Sequence, residues 1–114
     1  HSCGFVEPLV PGLVAAGMDC LQAMEVKAGM NMPRLARQFG DRISFCGNID
    51  VRILEANDRA ALAAELAAKI PPTLATGAGY ILASDHSIPP AVNHDTLHDF
   101  FRRAADYGRL SESL

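Results

Sequence analysis

The fold is decided by residues 42–69, which read RISFCGNIDVRILEANDRAALAAELAAK. Residues 42–46 form a short run with β-branched and aromatic side chains, and the Gly-Asn pair after them favours a turn. Asn57 or Asp58 can cap the helix that follows, which we expect to run to about Lys69. The apolar side chains that recur every four residues on its buried stripe are Leu62, Leu66 and Ile70. This stretch therefore predicts one strand followed by one helix.

The same order of strand and helix extends over the chain. The expected strands cover residues 1–3, 20–23, 42–46 and 80–83, and the expected helices cover residues 7–16, 33–39, 57–69 and 95–107. Pro71-Pro72 should break the third helix, and Gly108 should stop the last one. Strict alternation is typical of a parallel sheet with helical crossovers. A complete eight-stranded barrel needs about 250 residues, so these 114 residues predict a small open sheet or about half of a barrel.

The first and the last of these helices each have an expected inward face. In the first helix the expected face is formed by Leu9, Val10, Leu13 and Val14. In the last helix it is formed by Leu97, Phe101 and Ala104. We expect residues 1–114 to form a single α/β domain, with the methionines as core filler.

Composition excludes several classes of function. The net charge is −3 and no basic stripe is visible, so nucleic acid is not an expected partner. The apolar runs are too short to span a bilayer, so no membrane partner is expected, and the N-terminus lacks the pattern of a signal peptide. Three unevenly spaced cysteines do not form a disulfide framework, and a reducing cytoplasm is the expected location.

Polar residues gather where the expected strands end. Glu25 follows the second strand, Asn48 and Asp50 follow the third, and Asp85 follows the fourth. The carboxyl ends of parallel strands lie on one face, and that face carries the chemistry in such folds. These four residues are therefore the predicted catalytic residues, although Asn48 can equally be a turn residue and Asp50 a helix cap.

A histidine and a thiol, His1 and Cys3, lie two residues apart and would point the same way on a strand. Imidazole and thiolate are typical zinc ligands, and His86 after the fourth strand could join them. Asp85 could orient the ring of His86. Alternatively, Cys3 is a strand residue that is merely buried, and His86 binds the backbone of its own loop or an anionic group of a substrate.

Four stretches together resemble the uroporphyrinogen decarboxylase superfamily, which includes the decarboxylases and the cobalamin-dependent methyltransferases. They are His1-Ser2-Cys3-Gly4, residues 17–30, residues 39–50, and residues 79–89, which read GYILASDHSIP. Their order and spacing are similar to the C-terminal part of that family, so the resemblance covers nearly the whole chain. It implies the C-terminal half of a TIM (β/α)8 barrel with about four parallel strands, in other words a fragment of a longer protein.

The resemblance is closer to the methyltransferase-like branch. That branch typically binds zinc through a His-x-Cys pair and a later Cys, and the zinc activates a thiol such as coenzyme M for methylation. His1 and Cys3 match the pair, whereas His86 stands where the later Cys is typical. The resemblance thus implies a small-molecule thiol acceptor and a partner protein that carries a corrinoid.

Two other interpretations remain open. The first is a decarboxylase of an acidic tetrapyrrole that needs no metal, although Ser87, Cys46 and Val51 replace the Gly, Gln and Pro that are typical of decarboxylases. The second is that the isolated chain is inactive, because a half-barrel needs the missing N-terminal half or a second copy to cover its open sheet.

Overall fold

The computed structural model describes residues 1–112 and contains a three-stranded parallel sheet. The strands are β1 (Cys20–Ala23), β2 (Ser44–Gly47) and β3 (Tyr80–Ile81), in the order β1-β2-β3. Leu21 pairs with Phe45, and Phe45 pairs with Tyr80. Neighbouring strands are therefore parallel and consecutive in the chain, as the alternation predicts.

The described residues contain three strands rather than the expected four. Ser2 makes a single parallel bridge to Ala23, in which its amide donates to the carbonyl of Gln22 at 3.0 Å. At the other end of the sheet, β3 is shorter than expected because Asn48 has a φ of 63° and interrupts β2. Pairing resumes one residue later, where Ile49 bridges Ser84.

Five α-helices connect and cover these strands within residues 1–112. They are α1 (Val10–Ala15), α2 (Met32–Phe39), α3 (Val51–Glu55), α4 (Arg59–Leu74) and α5 (His94–Glu112). The first expected helix is split, because a 3-10 turn over Glu7–Leu9 precedes α1. Leu9 and Leu13 are exposed rather than inward-facing, and Val10 is the residue of α1 that is fully buried.

Two expected helix ends are wrong. Helix α4 continues through Pro71 and Pro72 to Leu74. The prolines remove the amides that would bond the carbonyls of Ala67 and Ala68, and both of these alanines are exposed, so water can satisfy the freed carbonyls. Helix α5 likewise continues past Gly108, since a glycine inside a helix costs only about 1 kcal/mol relative to alanine.

The helices pack on one face of the sheet. Leu21 and Phe45 point into the cluster that includes α2, while Tyr80 contacts this cluster and a second one formed by α4 and α5. On the opposite face Gln22 is exposed and Ile81 is 57% exposed. The molecule extends only 17 Å in its thinnest direction, which fits one sheet and one layer of helices.

None of the helices within residues 1–112 is long and apolar enough to cross a membrane.

Candidate functional site

The carboxyl ends of the strands form one edge of the sheet, which we call the rim. It consists of residues 1–4, 23–26, 47–52 and 84–87. Two open cavities lie along it. The His1 cavity, of about 340 Å³, is lined by residues that include His1, Cys3, Gln22, Ser84 and His86. The Arg52 cavity, of about 310 Å³, is lined by residues that include Glu25, Lys27, Asp50, Arg52 and Glu55. Asp85 and His86 line both cavities.

His1 and Cys3 lie together in the His1 cavity. Both residues are exposed, and Nε2 of His1 is 3.8 Å from Sγ of Cys3. Two ligands of one tetrahedral zinc ion, at about 2.1 Å for nitrogen and about 2.3 Å for sulfur, would be separated by roughly 3.6 Å. The spacing of this pair therefore fits the binding of one metal ion.

His86 lines the same cavity but does not complete a cluster. Within residues 1–112, no group of three or more His, Cys, Asp or Glu side chains is arranged to hold a metal ion. The ring of His86 is exposed, and its backbone carbonyl accepts a hydrogen bond from the hydroxyl of Ser84. The metal set of His1, Cys3 and His86 thus stays a prediction, in which His86 must move closer to the pair.

Glu25 connects the segment that carries this pair to the end of β1. Its Oε2 accepts a hydrogen bond from the amide of Gly4 at 2.8 Å, and Gly4 has a φ of 82°. Glycine adopts this backbone conformation readily. Glu25 therefore positions the loop after Cys3 while it also lines the Arg52 cavity.

Asp85 joins the ends of all three strands. Its Oδ2 accepts from the amide of Val26 at 2.8 Å, its Oδ1 accepts from the amide of Val51 at 3.0 Å, and its own amide donates to the carbonyl of Ile49 at 2.8 Å. The residue is only 2% exposed. Both carboxylate oxygens are thus engaged by main-chain amides, and the expected role of orienting His86 stays a prediction.

Asn48 is fully buried, and within the described chain its side chain bonds main-chain groups. Its Nδ2 donates to the carbonyls of Met24 at 2.8 Å and Met30 at 3.2 Å, and its Oδ1 accepts from the amide of Met32 at 3.2 Å. Asn48 is not among the residues that line the His1 or the Arg52 cavity. Asn48 has the left-handed turn conformation that the sequence predicts, and its catalytic role stays a prediction.

Asp50 caps α3, as the sequence predicts as one alternative. Its Oδ1 accepts from the amide of Arg52 at 3.0 Å, and its two oxygens also accept from Nε and Nη2 of the same guanidinium at 3.0 and 2.9 Å. The hydrogen bond from Arg52 lowers the pKa of the Asp50 carboxyl. Asp50 therefore holds the guanidinium of Arg52 at the Arg52 cavity.

Gln22 and Arg52 are among the cavity residues that the sequence did not predict. Gln22 lies between two buried strand residues, Leu21 and Ala23, and its side chain is exposed in the His1 cavity. A polar residue that alternates with apolar ones in a strand is a signal that could have identified it. Arg52 gave no such signal, because an arginine in a short helix is usually a surface residue.

Comparison with known proteins gives one match. The family described as "Uroporphyrinogen decarboxylase (URO-D)" matches residues 1–107. No curated protein and no solved structure matches the chain.

Proposed function

The chain belongs to the uroporphyrinogen decarboxylase (URO-D) family, and we propose that it forms part of a zinc-dependent methyltransferase with the (α/β)8 barrel fold. A single observation carries the proposal: Nε2 of His1 lies 3.8 Å from Sγ of Cys3 in a cavity that His86 also lines. Thiolate and imidazole ligands at the carboxyl ends of parallel strands are suited to zinc at a catalytic site.

Zinc bound there would keep a substrate thiol as its thiolate, which is the nucleophile for methyl transfer. His1, Cys3 and His86 would hold the ion. Glu25, through the amide of Gly4, would keep the loop after this pair in place. The methyl group would come from a corrinoid carried by a partner protein. A cytoplasmic location fits the three free cysteines, Cys3, Cys20 and Cys46.

The alternative is a carboxy-lyase that acts on a tetrapyrrole. The description of the matching family names this activity, and Lys27 and Arg52 in the Arg52 cavity could bind carboxylate groups. Asp50 already neutralises Arg52, and the lining of the His1 cavity within the described chain includes no Lys or Arg. We therefore place the methyltransferase first.

The test is metal analysis of the full-length protein together with three variants. We expect about one zinc per chain in the parent. Cys3→Ser and His86→Ala should each weaken zinc binding by roughly tenfold or more, because each removes a ligand. Cys20→Ser is the matched control, since Cys20 is a thiol outside both cavities whose pKa is raised by burial. It should keep its zinc.

A parent protein that binds no zinc, or variants that bind it as tightly as the parent, would overturn the proposal. Turnover of uroporphyrinogen that survives exhaustive chelation would support the carboxy-lyase instead. Transfer of a methyl group to a thiol by the parent, lost in Cys3→Ser and kept in Cys20→Ser, would support the methyltransferase.

A further inference from the structure

Two charged side chains of α4 lie directly beneath the turn that follows β2. Nζ of Lys69 donates to the carbonyl of Asn48 at 2.7 Å, and Oε2 of Glu65 accepts from the amide of Asp50 at 2.8 Å. The two side chains also pair with each other at 3.1 Å. Their side chains are only 14% and 10% exposed, so this is a largely buried ion pair.

Stability alone does not account for such a pair. Removing two charges from water costs several kcal/mol, and well-packed apolar residues are often as stable. What apolar residues cannot do is bond the main chain. The left-handed backbone at Asn48 ends β2, so the Asn48 carbonyl and the Asp50 amide need other partners. Lys69 and Glu65 supply one partner to each.

Asp50 connects the ion pair of Glu65 and Lys69 to the rim. The amide of Asp50 is held by Glu65, while its carboxylate caps α3 and binds the guanidinium of Arg52 at 3.0 and 2.9 Å. Arg52 in turn lines the Arg52 cavity, which His86 also lines. A continuous series of hydrogen bonds therefore runs from the side of α4 to a cation at the candidate site.

We propose that Glu65 and Lys69 are positioning residues that fix the turn 48–50 and, through Asp50, set the position of Arg52 in the Arg52 cavity. The proposal rests on the proposed function only in treating that cavity as part of the substrate site. The geometric claim itself is tested without substrate or metal.

The test is nuclear magnetic resonance of the full-length protein, with two signals followed: the Nε–H of Arg52 and the exchange rate of the Asp50 amide. Two other arginines are internal controls, because Nε of Arg34 donates to Glu7 at 3.0 Å and Nε of Arg103 donates to Asp99 at 2.6 Å. Loss of overall stability would affect all three arginines, whereas loss of positioning affects Arg52 alone.

In Glu65→Ala we expect the Asp50 amide to exchange about tenfold faster, because this amide loses its hydrogen bond to Glu65. Lys69→Met instead releases the carbonyl of Asn48, and we expect it to act on the Arg52 signal. The Arg52 Nε–H signal should move or broaden, while those of Arg34 and Arg103 stay in place. Glu65→Gln retains an acceptor for the Asp50 amide, and Lys69→Arg retains a cation, so each should recover most of the parent behaviour. Glu55→Gln removes an exposed carboxylate at the same cavity and should change neither signal.

Parent-like exchange and an unmoved Arg52 signal in Glu65→Ala would overturn the proposal. So would equal changes at Arg34, Arg52 and Arg103, which would show a general loss of structure. If Glu65→Ala does not fold, Lys69→Met decides the matter, and an unmoved Arg52 signal in that variant would overturn the proposal. Zinc binding at the His1 cavity is a separate readout, so the positioning claim and the methyltransferase can fail independently.

Discussion

The rim contains two groups of polar residues that differ in what their side chains do. The buried rim residues are Asn48, Asp50 and Asp85, which are 0%, 8% and 2% exposed, and each bonds main-chain amides or carbonyls. The exposed rim residues are His1, Cys3 and His86, whose side chains face the His1 cavity. The sequence predicts the first three as catalytic residues and the last three as metal ligands, and in the structure the two groups also differ in burial.

This difference indicates that the buried group contributes to the free energy of folding and the exposed group to the free energy of ligand binding. A buried amide or carboxylate that bonds the main chain stabilises the fold, because its loss leaves buried groups without partners. An exposed imidazole or thiol adds little to stability and is free to bind a ligand. Changes in the buried group should therefore appear as lost stability, and changes in the exposed group as lost binding.

The largest effect should come from Asn48→Ala. It removes the partners of the Met24 and Met30 carbonyls and of the Met32 amide, and we expect the free energy of unfolding to fall by about 3 kcal/mol in urea titrations. Asn31→Ala is the control, since Asn31 is an exposed helix cap with one such bond, and it should cost about 1 kcal/mol. Equal losses in the two variants would remove the distinction drawn for Asn48.

Asp85→Asn should be next in size. The asparagine side chain keeps one acceptor oxygen. Its NH₂ group faces a main-chain N–H that needs an acceptor, either that of Val26 or that of Val51. We expect a loss of about 2 kcal/mol in the same titration. His86→Ala, one residue later, is the control and should be close to the parent. A neutral Asp85→Asn would mean that this carboxylate is not needed to join the strand ends.

A smaller effect should depend on pH through Asp50. The hydrogen bond from Arg52 lowers the pKa of the Asp50 carboxyl, so this carboxylate binds its proton less readily in the folded chain than in the unfolded one. Its contribution is therefore complete above the unfolded pKa of about 4 and is lost as the pH falls through the folded value. Arg52 is partly exposed, so we expect about 1 kcal/mol or less at neutral pH.

Measurement of unfolding against pH for the parent and Asp50→Asn checks this sign. The parent should be the more stable at pH 6, and the difference should shrink below about pH 4. A difference that is constant from pH 6 to pH 2 would contradict the assignment. Asp99, whose pKa is lowered by Arg103 and Arg102, is common to both proteins and cancels in the comparison.

The smallest effect on stability should come from Cys3→Ser. Cys3 is exposed, and within the described chain its sulfur has one hydrogen-bonding partner, His1. The free energy of unfolding without zinc should therefore change by less than about 0.5 kcal/mol. A thermal or urea unfolding curve that shifts as far as that of Asp85→Asn would show that Cys3 supports the fold. The contrast between the two groups of the rim would then fail.

Much of the fold follows from the sequence because local signals and burial agree there. Strand β1 covers Cys20–Ala23 as predicted, and Asp58 caps α4 through the amides of Ala60 and Ala61. The stripe on α4 is buried at Leu62, Leu66 and Ile70. At these positions capping chemistry, apolar spacing and tertiary packing all favour the same structure.

The remainder depends on packing that the sequence does not display. In α5 the sequence favours Phe101 as the inward residue, whereas Phe100 is 1% exposed and Phe101 is 53% exposed. Both phenylalanines suit a core, and contact with α4 decides which one is buried. Likewise, the hydrogen bonds from Glu65 and Lys69 to the turn after β2 join residues that are far apart in the chain, and no local pattern marks them.

Asp85 and His86 are adjacent in the chain, yet only one of them is tied to the scaffold. Even the replacement of Asp85 by Asn leaves the amide of Val26 or that of Val51 without an acceptor, while the exposed His86 can be replaced at little cost to folding. Position 86 can therefore carry a different side chain while the main chain of the rim stays in place. The neighbouring carboxylate would keep that side chain at the same point of the rim, so a change of binding specificity here would need no extra stability elsewhere in the protein.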